Sequence, residues 1–563
     1  MSADPGAATH DVTNQPPPLE GYDVFADDTV LVEAVEREGA GWAAEALSDL
    51  GRRAGSAEAI EWGTVANANP PQLKTHDRFG HRIDEVTYHP YYHRLMEVAT
   101  GAGLHGAPWA DDRPGAHVAR AAGMVVWSQT DAGHTCPISM TYSVVPALRN
   151  APALSAQWEP KLTARSYEPA LRPGGAAKAS AISGMGMTEK QGGSDVRANS
   201  TSAEPVAPSA PGLGGTEYRL TGHKWFCSAP MSDLFLVLAQ APGGLTCFAV
   251  PRILDGASRN LFRIQRLKDK LGDRSNASSE VEFAGTAGWR VGDEGRGVPT
   301  IIEMVNHTRL DCVLGSTAIL RQGTAQALHH TAHRSAFGKR LADQPLMQQV
   351  LADLAIESEA ATVAALRLAR AFDTVACGQS ADGYPHERLL QRLATPVVKY
   401  WVCKRAPVHA AEALECHGGN GFIADHLMER LYREAPLNGI WEGTGNVVCL
   451  DVLRSMQREP ETVGVFLDEV RQARGGNARL DAYADDLARR LADPAGLEPV
   501  ARRVVEMMAF ALQASLLVRH STPAVADAFC ATRLDGDWGQ AFGTLPRGLD
   551  TQAIVDRAQV GGA

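Results

Sequence analysis

The chain has 563 residues, 44% of them hydrophobic and 21% charged, a composition that excludes a disordered or fibrous protein and suggests two to four domains. With 54 Lys+Arg against 65 Asp+Glu the net charge is −11, so the surface as a whole does not attract nucleic acid, while a local basic patch stays open. No apolar run is long enough to span a bilayer, and the first lysine or arginine is Arg37, so neither a membrane segment nor a secretory leader is expected and the protein reads as cytoplasmic. Nine cysteines lie far apart with no C-x-x-C spacing, which predicts reduced, buried thiols rather than a zinc or redox site.

Residues 1–20, rich in proline and alanine, read as a loose arm. From about 28 to 173 the pattern is mainly helical: Leu31, Val32, Ala34 and Val35, then Ala43, Ala44 and Leu47, form apolar stripes, and 119–126 leads into a further helix. The aromatic and histidine-rich stretch 70–92 reads as a packed connection rather than a regular element. Between 179 and 292 the texture becomes β, with runs at 218–228, 234–239, 245–250, 262–267 and 279–283 spaced like a small antiparallel sandwich or barrel. Residues 205–215 (PVAPSAPGLGG) read as a low-complexity surface loop. Three long amphipathic helices follow at about 299–333, 344–373 and 389–416, and about three more beyond Pro460. The stripe Ile356, Ala360, Val363, Leu366 marks a bundle helix. The fold class is therefore α+β, in four parts: 1–178 helical, 179–292 β, 293–458 a helical bundle, and 459–563 a helical extension.

Five segments carry candidate chemistry. In Met185-Gly186-Met187-Thr188-Glu189-Lys190-Gln191-Gly192-Gly193-Ser194-Asp195, hydroxyls accompany glycines whose free N–H groups suit the edge of a flat heterocycle. A plain tight turn explains the glycines equally well. Gly222-His223-Lys224-Trp225-Phe226-Cys227-Ser228 reads as an amphipathic strand, or as an aromatic wall with a hydroxyl. Arg334-Ser335-Ala336-Phe337-Gly338 suits phosphate and ring contacts, or an ordinary helix-end ion pair. The fourth segment runs from Glu415 through Gly418, Gly419 and Gly421 to Asp425, Arg430 and Glu434. In the fifth, Ile440-Trp441-Glu442-Gly443-Thr444-Gly445-Asn446, one carboxylate lies among bulky apolar residues, where burial would raise its pKa and make it a usable base. His329, His330 and His333 lack a fourth ligand, so no metal site is expected.

Together these segments resemble the acyl-CoA dehydrogenase superfamily, whose two signatures fit residues 183–195 and 415–434. GMGMTEKQGGSDV, GHKWF, RLKDKLGDRSNAS, IWEGTGN, NQPPPLEGY, EREGAGW and ANANPP are similar to one branch of it, flavoproteins of the bacterial adaptive response to DNA alkylation. The resemblance implies FAD and a homotetramer. Met185, Gly186, Met187, Thr188, Gly193 and Ser194 would hold the isoalloxazine, with Phe226 and Ser228 on its face. Arg334 and Phe337 would reach the FAD of a neighbouring subunit, while Ile440, Thr444 and Asn446 would complete the site and Glu442 would be the catalytic base. It further implies binding of double-stranded DNA without sequence preference, through Arg454, and weak activity on acyl-CoA. The alternative is an active short- or branched-chain acyl-CoA dehydrogenase that does not bind DNA. Residues 461–563 hold 11 arginines, no lysine and 14 carboxylates, a net −3 that is unusual for a DNA-binding segment.

Overall fold

The computed structural model describes residues 9–172, 178–206, 216–254, 258–492 and 496–561. Residues 1–8 of the expected arm and 207–215 of the expected surface loop lie outside these. The first part carries helices α1 (Thr29–Arg37), α2 (Ala44–Ala54) and α3 (Ala57–Ala68), then a hairpin of β1 (Gln72–His76) and β2 (Arg82–Thr87). Helices α4 (Pro90–Gly101), α5 (Ala116–Ser128), α6 (Thr135–Leu148) and α7 (Pro152–Leu162) follow. The hairpin corrects the reading of 70–92 as an irregular connection. Its turn is set by Asp77, which accepts the Phe79 and His81 N–H groups, and α4 begins at Pro90 behind a His89 cap.

The β part contains β3 (Ser183–Gly186), β4 (Ser202–Pro205), β5 (Glu217–Ser228), β6 (Leu234–Ala241), β7 (Gly244–Pro251), β8 (Phe262–Leu267) and β9 (Ser278–Val291). The strand path β3-β6-β4-β5-β9-β7 closes on itself because β6 also pairs with β7, and β8 adds to β9. Two short strands, β3 and β4, escaped the sequence pattern, and β9 runs past Phe283 to Val291. A register shift opposite Gly285, at φ +80°, bulges β9, and the sequence reads that bulge as an end.

The bundle is α8 (Gly297–His333), the two-residue strands β10 (Ser335–Ala336) and β11 (Lys339–Arg340), α9 (Pro345–Ala376), α10 (Tyr384–Glu415), α11 (Leu427–Glu434) and α12 (Gly445–Arg458). Among its described residues the extension holds five α-helices rather than about three: α13 (Glu461–Arg471), α14 (Ala478–Ala492), α15 (Ala501–His520), α16 (Pro523–Phe529) and α17 (Thr551–Ala558). It is no appendage. Val505, Leu512, Leu516 and Phe529 belong to the same buried apolar cluster as Ile356, Leu366 and Val398 of the bundle. Arg533 reaches from the extension to Asp353 at 2.6 Å and Glu357 at 3.1 Å on α9, fully enclosed. Glu469 of α13 takes Arg367 and Arg519, both at 2.9 Å. Such buried pairs fix one geometry, because removing either partner strands a charge in the interior.

Where the helical, β and bundle parts meet, a polar seam replaces apolar packing. Asp131 accepts from Asn67 (2.5 Å), the Ser275 hydroxyl (2.9 Å) and His134 (2.8 Å), and Arg430 of α11 donates to the Thr130 carbonyl at 2.8 Å. Burial alone would raise the Asp131 pKa, but the His134 contact overcomes it and holds the carboxyl low; unpartnered Asp273 nearby is pushed up to about 6 by burial. All nine cysteines are free, and all but Cys377 are buried. Among the described residues no helix is long and apolar enough to cross a membrane.

Candidate active site

Glu442 sits on a turn that the chain adopts only under restraint. Its φ is +57°, in the left-handed region disfavoured for a side-chain-bearing residue, and Gly443 follows at +114°. Two buried cations hold the turn by its carbonyls. Arg309 of α8 donates to the Glu442 carbonyl at 3.0 Å; Lys399 of α10 donates to that of Trp441 at 3.0 Å and to that of Gly443. The Trp441 indole N–H is fixed by the Asn438 side chain at 2.9 Å. One carboxylate oxygen of Glu442, Oε2, is buried with no hydrogen-bond partner among the described residues. Burial raises the Glu442 pKa, while the Thr308 hydroxyl, Arg309 and Lys399 pull the other way. A desolvated carboxyl with a free oxygen is suited to taking up a proton.

The glycine-rich loop leaves the end of β3 and is anchored from within by Glu189. This side chain is fully buried and accepts from Lys224 (2.7 Å), the Ser200 N–H (2.7 Å) and hydroxyl (2.9 Å), and the Thr201 N–H (3.1 Å). Burial alone would raise its pKa, but the Lys224 ammonium and those donors outweigh it and hold the carboxyl well below the usual range. The Trp225 N–H donates to the Thr188 carbonyl at 2.8 Å, and Asn199 donates to that of Met187 at 2.9 Å. At Gly193 a Cβ would come within 2.5 Å of the Thr188 hydroxyl, so only glycine lets the loop fold that tightly. The Gly192 N–H is not free as expected: it donates to the Glu189 carbonyl at 3.0 Å and closes the turn.

Cys136 of α6 brings the pieces together. Its thiol, pushed up to about 12 by burial, lies beside the Ser228 hydroxyl and within the field of Glu442. Met185, Met187 and Trp441 pack on the one apolar cluster that contains Cys136. The loop, the end of β5 and the Glu442 turn therefore border one region around Cys136. At its margins, apolar Phe226 (52% exposed) and Ile440 (58% exposed) stand open, with Thr444 and Asn446 also exposed. Exposed apolar side chains, hydroxyls and a tight glycine cradle fit a flat heterocycle such as a flavin.

Two expected site residues are not brought to this region. Arg334 and Phe337 lie past the far end of α8, 25 residues beyond Arg309 and thus about 38 Å along a helix. Arg334 bonds to the Asn14 carbonyl, and Phe337 is 98% exposed. At the end of α8, His329 meets the Pro17 carbonyl and His333 the His329 carbonyl, and among the described residues no group of three or more His, Cys, Asp or Glu side chains converges. Arg454 on α12 is 54% exposed at its side chain and lies 3.6 Å from Asp451.

Sequence reasoning missed Thr308, Arg309, Lys399 and the Glu189–Lys224 pair. Lys224 had a signal: it shares the inward register of β5 with Tyr218 and Leu220, so a lysine there demands a buried acid. Arg309 and Lys399 lie inside long helices and gave none. Glu189→Gln should destabilise by about 3 kcal/mol and lower flavin content, because it strands the Lys224 charge; Glu189→Gln combined with Lys224→Met should recover part of the loss. Thermal midpoints and flavin absorbance check this.

Residues 14–169 match the N-terminal domain of the adaptive response protein AidB, 184–286 the acyl-CoA dehydrogenase middle domain, and 295–457 the acyl-CoA dehydrogenase C-terminal domain. The Escherichia coli (strain K12) AidB protein is 42% identical over 529 residues, 94% of this chain and 95% of that one. Acyl-CoA dehydrogenase family member 11 of Caenorhabditis elegans is 30% identical over 447 residues, 77% of this chain and 70% of that one. The crystal structure of C. elegans ACDH-11 in complex with C11-CoA superposes with a TM-score of 0.84, at 26% identity over 95% of each chain. A Bacillus anthracis acyl-CoA dehydrogenase complexed with FAD shares the fold, with a TM-score of 0.60 at 17% identity over 83% of this chain and 82% of that one. The chain belongs to the FAD-binding acyl-CoA dehydrogenase family, within its AidB branch.

Proposed function

We propose that this protein is a cytoplasmic FAD-carrying homotetramer that binds double-stranded DNA through phosphate contacts centred on Arg454, protects it during alkylation stress, and retains a weak acyl-CoA dehydrogenase site. One observation carries the DNA reading: the single carboxylate of Asp451 faces three guanidiniums, Arg309 at 2.6 Å, Arg392 at 3.1 Å and Arg454 at 3.6 Å. Its charge is answered by the first two, so the exposed Arg454 is left in local cation excess on a surface that is otherwise net negative. The extension supplies less. Of its eleven arginines, Arg471, Arg474, Arg479, Arg489, Arg490, Arg519, Arg533 and Arg557 are in ion pairs with carboxylates. The DNA face in this reading is α12 with the adjoining side of α10, and it recognises phosphate rather than bases.

FAD, when bound, supplies a hydride acceptor. In this reading Met185, Gly186, Met187, Thr188, Gly193 and Ser194 hold the isoalloxazine, Phe226 and Ser228 lie against its face, and Ile440, Thr444 and Asn446 line its flank. Arg334 and Phe337, remote within one chain, serve the cofactor of a second copy. Glu442 Oε2 takes the α-proton of an acyl thioester, and Trp441 helps exclude water from it. A second reading, a working acyl-CoA dehydrogenase without DNA affinity, is favoured by the unpartnered oxygen of Glu442 and by the likeness to ACDH-11.

Duplex binding measured over a salt series separates the two. The DNA reading expects affinity to fall steeply with salt, with the slope for Arg454→Ala shallower by about one; absence of binding at low salt would leave the dehydrogenase reading. Anaerobic flavin bleaching by acyl-CoA should be abolished in Glu442→Gln with FAD still bound. Because the Glu442 pKa is raised, wild-type bleaching should be slow at acid pH, where the carboxyl holds its proton, and should accelerate as pH rises through that pKa. Loss of FAD from the variant would contradict the assigned role.

A further inference from the structure

We infer that the C-terminal extension completes the cofactor site, with Arg502 of α15 holding the phosphate-bearing half of FAD; this rests on the placement of Thr444 and Asn446 at the cofactor. Arg502 Nε donates to the Asn446 side-chain oxygen at 2.7 Å, across 56 residues of chain. Both side chains are exposed, and the terminal nitrogens of Arg502 have no partner among the described residues. A second cation meets it there. Lys404 of α10 crosses the first turn of α12, its Nζ 3.5 Å and its Cε 3.0 Å from where a Cβ on Gly445 would lie. Neither Arg502 nor Lys404 has a carboxylate within ion-pair distance among the described residues.

That is conspicuous in this part of the chain, where eight of eleven extension arginines are neutralised by acids. Thr444, exposed and adjacent in the chain to Gly445, caps no backbone N–H of α12 with its hydroxyl. Two unneutralised cations, a free hydroxyl and an amide oriented by one of them match a diphosphate, which asks for charge-assisted donors at close quarters. The space where these groups converge adjoins the Glu442 turn, two residues before Thr444. An anion there belongs to the molecule that occupies the active site, and FAD is the family's cofactor that carries a diphosphate.

The test uses full-length apoprotein reconstituted with FAD or with riboflavin, which lacks phosphate, and follows the quenching of flavin fluorescence. Arg502→Gln should weaken FAD binding about tenfold, the scale of one lost hydrogen bond to a charged group, and leave riboflavin binding unchanged. Arg502→Lys should recover part of the loss, and Arg503→Gln, on the neighbouring exposed residue, should have no effect. Equal losses for FAD and riboflavin would mean a structural role and overturn the inference. Unchanged FAD affinity in Arg502→Gln, with FAD binding weakened in Thr444→Ala, would overturn the inference alone. Unchanged FAD affinity in both variants would overturn the site assignment with it. If Arg502→Gln spares FAD but weakens binding of free CoA, the anion is the substrate's and the inference fails.

Discussion

The carboxylate of Asp451 is the joint that ties the buried Glu442 turn to the exposed Arg454. It fixes Arg309, and Arg309 holds the carbonyl of Glu442 in a left-handed turn that the backbone would otherwise leave. The same carboxylate holds Arg392 and draws Arg454 toward it. Burial would raise the Asp451 pKa, but Arg309 and Arg392 keep it low, so the anion persists at neutral pH. The Glu442 turn inside the bundle and the exposed Arg454 outside it thus share one charge. With Lys399 gripping the two flanking carbonyls, three helices, α8, α10 and α12, set the position of a single glutamate.

The extension follows the same logic at larger scale. Arg533 and Arg557 reach inward to Asp353, Glu357 and Glu359 and tie the added helices to the bundle, Arg519 meets Glu469, and Arg471, Arg474, Arg479, Arg489 and Arg490 pair at the surface with acids of the extension itself. This explains how a segment with net charge −3 can be arginine-rich without forming a broad basic surface. The guanidiniums that escape pairing matter more than the total. Arg502 is one of them, at the first turn of α12, while Arg454 of the bundle stays exposed and shares the Asp451 carboxylate with Arg309 and Arg392.

Much of this was legible in the chain. The order of parts followed from periodicity, and the stripe Ile356, Ala360, Val363, Leu366 is buried as its spacing demands. The loop at 185–195 and the turn at 440–446 declared themselves because glycine and hydroxyl clusters are local in sequence. What stayed hidden was non-local. Lys399 and Arg309 are cations inside long helices with nothing local to distinguish them, and their role appears only once a carbonyl from residues 441–443 arrives beside them. The hairpin at 72–87 was missed because half-exposed strands of mixed residues carry no clean alternation. Arg502 looked like one more surface arginine until the fold placed it on Asn446.

The most direct measurement is Asp451→Asn, with the FAD absorption spectrum and the duplex-DNA salt series recorded on one sample. The amide keeps the shape and removes the charge. The shared-charge account predicts that both readouts move: the flavin spectrum shifts as the Glu442 turn loosens, and DNA affinity rises as one negative charge leaves the Arg454 face. A spectrum and a salt series both matching wild type, or a change in only one of them, would contradict it.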